Sequence, residues 1–242
     1  STGAQTFATR DAAIAASGRV AIETTSLMGS ISLTGARLDD LRLKKYRETV
    51  DPNSPIITLL SPSGAPNAYY VEQGWVNAGG STTPLPDASS VWTLEGPNQT
   101  LSETTPVTLR FDNGAGLIFR RTFAVDQDYL FTVTQSVENT SAGQVALFPF
   151  SRAMRIGTPR TANFFILHEG PIGVLGSENL LEITYADLAK DGQRDVTSTG
   201  GWLGITDKYW AAAVIPERDA AISARFSHTK PAAVDIYQTS FV

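Results

Sequence analysis

The feature that most constrains the fold is a succession of short segments in which apolar and polar residues alternate. Val20–Thr24, Leu38–Leu43 and Val107–Phe111 are examples, and turn-forming residues bound each of them. Alternation with period two places successive side chains on opposite faces, as in a half-buried β-strand, whereas an amphipathic helix needs apolar residues three and four apart. About fifteen such segments follow Arg19. The sequence therefore predicts an all-β fold of two large, mostly antiparallel packed sheets.

Turn residues predict how neighbouring strands connect. Asp112–Gly116 joins two alternating segments, and we expect Asn113 and Gly114 to supply the positive φ angles of a hairpin turn. Polar turns at 126–128 and 140–143 predict two further hairpins, so that the chain continues as one antiparallel meander.

Three other segments carry predictions. Asn77–Ser90 is rich in Gly, Pro and Ser, which favours a long surface loop. Leu180–Tyr185 alternates and is predicted to be a strand, followed by a polar turn at Lys190–Gln193. Residues 1–18 have no sustained apolar face and are predicted to be a flexible lead-in, with a possible helical turn at Asp11–Ala16.

Composition excludes several classes of function. The formal net charge is −5 and only 18% of residues are charged, so no overall basic field exists for binding nucleic acid. The chain has no cysteine, which excludes disulfides, thiolate catalysis and cysteine-ligated metals. Apolar runs such as Trp210–Ile215 are far shorter than the roughly 20 residues of a membrane-spanning helix. No cofactor or metal site is predicted, because Asp126–Asp128 offers too few oxygen ligands for a calcium loop and fits a turn better.

A glycine- and aromatic-rich run near the end of the chain is the most distinctive local feature. It begins with Gly200 and Gly201 and ends at Pro216, which predicts a pair of strands packed in a core. We expect the two glycines to serve a bend or a close strand approach, and the aromatic residues to be core residues. The residues that define the run are Gly200, Gly201, Trp202, Gly204, Tyr209, Trp210, Ile215 and Pro216.

These residues, in this order, resemble the hallmark of the periplasmic domain of the YidC insertase family. The segment Glu23–Leu43, with its exit Leu43–Tyr46, is similar to the first strands of that domain, and Phe119–Phe123 followed by Asp128 and Tyr129 is similar to a later pair of strands. The resemblance implies a single periplasmic β-supersandwich domain over residues 19–242, of the galactose-mutarotase-like kind. Compared with the family, the final strands and a short helix are missing, so we expect a truncation before the end of the domain.

The resemblance also implies a role. It predicts a non-catalytic scaffold on the periplasmic face of the bacterial inner membrane, tethered to the membrane in the full-length protein. The implied partners are the SecDF accessory complex, SecYEG and nascent membrane proteins, and the isolated domain is expected to be a monomer. The alternative is a carbohydrate-binding or mutarotase-like protein of the same sandwich class. Proton transfer at a sugar needs a positioned acid and base, and the only histidines are His168 and His228.

One basic cluster stands out in this acidic chain. Its members are Arg37, Arg42, Lys44, Lys45 and Arg47. They could form a surface for anionic lipid or an acidic partner, whereas the more common explanation is an edge strand kept soluble by its charges. The second interpretation is favoured.

Overall fold

A computed structural model describes residues 5–160, 167–176 and 179–242 of the chain. The described residues contain eighteen strands and two short α-helices, so the predicted all-β fold of mostly antiparallel, sandwich-like sheets is confirmed. They form two compact units. Unit 1 comprises Ser1–Ala65 and Gln73–Pro149, and unit 2 comprises Pro66–Glu72 and Phe150–Val242.

The first half of the chain supplies one α-helix and the strands of unit 1. These elements are α1 (Arg10–Ala15), β1 (Arg19–Glu23), β2 (Leu27–Ser32), β3 (Arg37–Arg47), β4 (Ile56–Leu60), β5 (Tyr69–Asn77), β6 (Thr93–Glu95), β7 (Thr100–Leu101), β8 (Val107–Asp112), β9 (Leu117–Val125), β10 (Phe131–Asn139) and β11 (Leu147–Ile156). The residues of β5 and β11 are divided between the two units.

Unit 1 contains two sheets. In the first, β1, β2 and β3 form an antiparallel meander, β4 pairs with β3, and β7 runs parallel to β1. In the second, the strand order is β10-β9-β8-β6. Residues of β9 alternate strictly between buried and half-buried positions, and Leu117, Phe119 and Phe123 enter the core. The period-two pattern of the sequence is therefore the pattern of burial.

The remaining elements belong to unit 2. They are β12 (Gly170–Val174), β13 (Leu181–Glu182), α2 (Tyr185–Asp191), β14 (Gln193–Thr199), β15 (Trp202–Thr206), β16 (Ala211–Val214), β17 (Ala221–Thr229), a 3₁₀ turn (Pro231–Ala233) and β18 (Ile236–Phe241). One group of strands has the order β14-β17-β18-β11, and a four-stranded sheet has the order β13-β12-β15-β16. The two groups meet where β12 and β15 contact β18.

The predicted meander is correct for two hairpins and wrong for the third. β8, β9 and β10 pair in sequence, but β11 pairs with β18 instead of β10. The turn at 140–143 therefore leads the chain out of the sheet. A turn motif signals a reversal of the chain, but the pairing of the next strand depends on which apolar faces meet.

Three local predictions also differ from the structure. Asn113 does not have a positive φ, because Gly114 and Gly116 take that role, and its side chain accepts hydrogen bonds from the main-chain N–H groups of Ala115 and Leu117. The segment predicted as the strand Leu180–Tyr185 is a strand only at Leu181–Glu182.

The helix α2 follows that short strand and includes the first two residues, Lys190 and Asp191, of the predicted turn. Thr184 caps its N-terminus by accepting from the N–H of Asp187, and Gly192 ends it with a φ of 79°. Thr-x-x-Asp is a helix-start pattern that the alternation of the preceding residues obscured.

The lead-in contains the predicted helical turn. α1 begins after Thr9, whose side chain accepts from the N–H of Ala12. Arg10 forms an ion pair with Asp40 and donates to the carbonyl of Leu60. Part of the segment predicted to be flexible is thus attached to unit 1.

Candidate functional site

The Gly200–Pro216 run forms an antiparallel hairpin, as predicted. β15 and β16 pair from Leu203 opposite Val214 to Thr206 opposite Ala211. Gly201 has a φ of 96°, and a Cβ atom there would lie 2.4 Å from the carbonyl oxygen of Val174. Glycine therefore suits this bend and close strand approach at residue 201, because a real Cβ atom does not fit at such a separation.

A buried tyrosine holds the two strands of this hairpin together. Tyr69 donates its hydroxyl proton to the carbonyl of Ile205 at 2.6 Å and accepts from the N–H of Ala212 at 3.0 Å. Burial raises the pKa of the Tyr69 hydroxyl well above its usual value, so the group is a neutral donor throughout the physiological range. One side chain therefore pairs with the main chain of both β15 and β16.

We expect Tyr69→Phe to destabilise the protein by about 1–3 kcal/mol, because a buried carbonyl and a buried N–H lose their partner while the ring is kept. Urea denaturation followed by circular dichroism measures the change. Tyr209→Phe is the matched control, because the Tyr209 side chain is 70% exposed and its substitution should leave the midpoint unchanged. Equal urea midpoints for Tyr69→Phe and the parent would show that the two hydrogen bonds of the Tyr69 hydroxyl do not contribute to stability.

The prediction that the aromatic residues of the run are core residues is wrong for Tyr209. Its side chain is 70% exposed, and Trp202 and Trp210 are half-buried. Ile215 is also exposed, at 60%, whereas Pro216 is buried. The apolar residues that do fill the core include Leu203 and Ile205 in the middle of β15, which have no exposed surface, so position in the hairpin decides burial here and residue size does not.

The turn between β15 and β16 is fixed by polar contacts. The N–H of Asp207 donates to the carbonyl of Trp210 at 2.7 Å, and the Asp207 carboxylate forms an ion pair with Arg155 at 2.8 Å. The guanidinium of Arg155 also lies 4.7 Å from the ring centroid of Tyr69. At the exposed tip, the Lys208 ammonium lies 5.0 Å from the ring centroid of Tyr209. The turn presents the Tyr209 ring to solvent, with the half-buried Lys208 beside it.

The two histidines do not form an acid–base pair for sugar chemistry. The Nε2 atom of His168 lies 3.0 Å from the carbonyl oxygen of Pro171, and the Nε2 atom of His228 lies 2.9 Å from the carboxylate of Asp235. The ring of His228 also packs 4.8 Å from that of Tyr237. Each histidine thus has its own local partner, and the two contacts involve different residues, Pro171 for His168 and Asp235 for His228.

The Asp235 carboxylate offers a pH test of one of these contacts. Its pKa is lowered by a hydrogen bond from His228 and then by one from Lys230. We expect the NMR titration midpoint of Asp235 to lie below about 4, the ordinary value for aspartate. Lys230→Met and His228→Ala should each move the midpoint upward. Because the folded-state pKa is depressed, the contact stabilises the fold above the ordinary pKa and this stabilisation is lost as the pH falls through the lowered value. An unchanged midpoint in both variants would contradict the assignment.

The basic cluster is not an edge strand, so that interpretation is wrong. β3 has β2 on one side and β4 pairs with it from Leu41 to Arg47. Several of its cations are held locally: Lys44 pairs with Glu23, Arg37 donates to the carbonyl of Ala88 and Arg47 to that of Ser54. Arg42 is half-buried and Lys45 is exposed. Three of the five cations thus have local partners.

The predicted loop 77–90 contains no helix or strand beyond Asn77, and side chains tie it at several points. Asn77 donates to the carbonyl of Thr83, and Asn113 donates to that of Pro84. The carboxylate of Asp87 accepts from Ser89 and Ser90, and these hydrogen bonds lower the pKa of Asp87. The polar groups of the loop thus form hydrogen bonds largely with other groups of the same loop.

The sequence interpretation missed the most buried cation of the chain. Arg121 is 1% exposed, donates to the carbonyls of Ala36 at 2.7 Å and Gln73 at 2.6 Å, and lies 4.9 Å from the ring centroid of Trp92. The sequence pattern could have indicated this burial, because period two places residue 121 on the same face of β9 as Phe119 and Phe123.

Neither a metal site nor a membrane-spanning helix lies in the part of the chain that the structure describes. Within residues 5–160, 167–176 and 179–242, no group of three or more His, Asp or Glu side chains could hold a metal ion. In the same ranges, no helix is long and apolar enough to cross a membrane.

Comparison with known proteins decides the family. The model of the YidC periplasmic domain matches residues 19–242. The chain belongs to the YidC periplasmic domain family. The described residues of the matched range fall into the two units given above.

Relatives of this family member carry one shared name, "Membrane protein insertase YidC". The one from Nitrobacter hamburgensis is 50% identical over 239 residues, which cover 99% of this chain and 39% of the relative. Those from Methylobacterium nodulans and Mesorhizobium japonicum are 49% and 50% identical, over 98% and 92% of this chain. The chain spans about two fifths of the length of these relatives. The names support the insertase interpretation and give no support to a sugar-acting protein.

Proposed function

We propose that this chain is the non-catalytic periplasmic part of a YidC-type insertase in the bacterial inner membrane. The observation that carries the proposal is the family match over residues 19–242, together with relatives that are named insertases and are more than twice as long. The side chains support a non-catalytic role, because each histidine is engaged in a local contact. Insertion itself would belong to the part of the relatives that this chain does not cover.

Within such a protein, the role of the chain is to serve as a scaffold and docking surface. The partners that we propose are the SecDF accessory complex, SecYEG and nascent membrane proteins, and the isolated chain is a monomer. Contacts between tethered domains are usually modest in area and polar, so binding is weak in isolation and strengthens when both partners share a membrane. The exposed turn at Lys208 and Tyr209 and the exposed residues Lys45 and Thr82 are positions from which a partner is accessible.

Crosslinking in the full-length insertase tests this role. Photoreactive residues are placed at Thr82, Lys45 and Tyr209, with Thr104 as an exposed control position in another turn. We expect at least one of the three test positions to capture a translocon component while Thr104 does not. Insertion of a membrane-protein substrate is then measured after deletion of residues 19–242. Normal insertion after the deletion, together with no captured component, would refute the docking role.

A further inference from the structure

The strand β10 forms a long edge of its sheet. It has nine residues, and β9 is its one strand neighbour among the residues that the structure describes. The other strands with a single neighbour are two to seven residues long. An edge strand presents unpaired main-chain N–H and C=O groups, which can pair with another chain.

The hydrogen bonds at the two ends of the β9–β10 ladder show which main-chain groups face outward. The N–H of Asp126 donates to the carbonyl of Leu130, and the N–H of Thr140 donates to that of Gly116. In the observed register, even-numbered residues of β10 therefore exchange hydrogen bonds with β9, because such pairs alternate along an antiparallel ladder. The N–H and C=O groups that point away from β9 belong to the odd-numbered residues, of which four, Phe131, Val133, Gln135 and Val137, precede Glu138.

This edge lacks the usual protection against pairing. No charged residue and no proline occurs from Tyr129 to Val137. Glu138 follows, and its carboxylate is engaged with Arg120 at 2.7 Å. By contrast, the seven-residue edge β14 carries Asp195, which is paired with Arg225. Natural edge strands are commonly blunted by charge, proline, bulges or short length, and β10 has none of these before Glu138.

A cavity lies beside the C-terminal end of the same strand, within unit 1. Its volume is about 800 Å³, and Val137 and Asn139 of β10, Trp75 of β5, the segment 144–147 and Pro149 line it. Trp75 is 7% exposed and contributes an aromatic wall, while Phe148 next to the lining is 54% exposed. The side chains of a strand added to β10 would alternate between the two faces of the sheet. Those on the same face as the Val137 side chain would lie beside the cavity, so one apolar side chain could enter it.

We infer that β10 binds an extended, uncharged, apolar polypeptide segment as an additional strand, with a side chain of that segment in the adjacent cavity. The outward row of four N–H and four C=O groups is complementary to a polypeptide main chain and to little else. The absence of charge along the edge matches an uncharged segment and disfavours an acidic or basic one. The inference rests on the proposed function, since apolar segments of membrane proteins awaiting insertion are the substrate class that it names.

Amide hydrogen exchange of the 242-residue chain, followed by NMR, tests the inference. The probe is a capped peptide of eight alternating Val and Thr residues on a soluble Gly-Ser-Lys tail, and the control probe has two of its Val residues replaced by proline. We expect the probe to slow exchange at Phe131, Val133, Gln135 and Val137 by at least about tenfold. Thr132, Thr134 and Ser136, already bonded to β9, should not change, and the control probe should have no effect.

A pair of variants at one position separates the main-chain contact from the side chain. Val133→Pro removes one outward N–H, and Val133→Ala removes a similar part of the side chain but keeps that N–H. We expect the proline variant to bind the probe at least about tenfold more weakly than the alanine variant. If the proline variant does not fold, the alternating exchange pattern of the parent still decides the question.

Three outcomes would overturn the inference. They are no slowing at the odd-numbered amides, equal slowing at odd- and even-numbered amides, and slowing that appears without the probe and increases with protein concentration. The last would identify a second copy of the chain as the occupant of the edge. None of these outcomes bears on the docking role, which the crosslinking and deletion experiments measure separately.

Discussion

Arg121→Met is expected to destabilise the protein by about 3 kcal/mol, the largest effect of any charge-removing substitution that we propose. Methionine has an unbranched side chain that is two atoms shorter than that of arginine, and it donates no hydrogen bond. The carbonyls of Ala36 and Gln73 would then be left without this donor in the interior of unit 1. The attraction between the guanidinium and the rings of Trp92 and Trp75, at 4.9 and 5.7 Å from their centroids, would also be lost.

The neighbouring arginine is the matched control for this experiment. Arg120 lies on the opposite face of β9, where it forms ion pairs with Glu95 and Glu138 at the surface. We expect Arg120→Met to leave the urea midpoint close to that of the parent, because exposed ion pairs contribute little. Arg121→Lys should fall between the two, since lysine keeps the charge but not the planar fork of donors. Similar midpoints for Arg120→Met and Arg121→Met would mean that burial of Arg121 has no energetic consequence.

Gly201→Ala is expected to be similarly damaging, at about 3 kcal/mol or more, because two penalties combine. The φ of 96° is unfavourable for any residue with a Cβ atom, and that atom would lie 2.4 Å from the carbonyl oxygen of Val174. The bend that begins β15 would have to shift, and the hairpin that Tyr69 holds would shift with it. Denaturation followed by circular dichroism measures the loss.

Substitutions at two other glycines distinguish the penalty of the positive φ from the penalty of the steric contact. Gly192 has a φ of 79°, and no atom lies within 4 Å of the place that a Cβ would take, so Gly192→Ala should lose about 1 kcal/mol from the backbone conformation alone. Gly143 has neither a positive φ nor a nearby atom, and Gly143→Ala should be close to neutral. The steric explanation fails if Gly201→Ala is no worse than Gly192→Ala.

Much of the fold could be predicted because strand alternation is a local property. The predicted segment Val107–Phe111 lies within one residue of the observed strand Val107–Asp112, and the hairpin around Gly114 has the predicted position. The hairpin of β15 and β16 was predicted from its glycines, because glycine marks positions where a bend or a close approach leaves no room for a side chain. In each case the residues that specify the structure are neighbours along the chain.

Predictions that depended on contacts between distant residues were less successful. Tyr209 was expected in the core because it is large and aromatic, yet it lies at the tip of a turn and is 70% exposed. Arg121 was not singled out, although it is buried, because its acceptors on Ala36 and Gln73 lie 85 and 48 residues away. Alternation predicts on which face of a strand a side chain lies, but it does not predict which other residues pack against that face.

The open edge of β10 illustrates the same division. The sequence by itself predicted a strand between the turns at 126–128 and 140–143, and it shows that no residue from Tyr129 to Val137 is charged. Whether β11 would pair with it was decided only in the tertiary structure, where β11 pairs with β18. Strand identity follows from local alternation, whereas strand pairing follows from the burial of apolar faces contributed by residues far apart in the chain. The sequence therefore determined most of the strands of this protein, and the tertiary structure decided which edge stays open and which cation is buried.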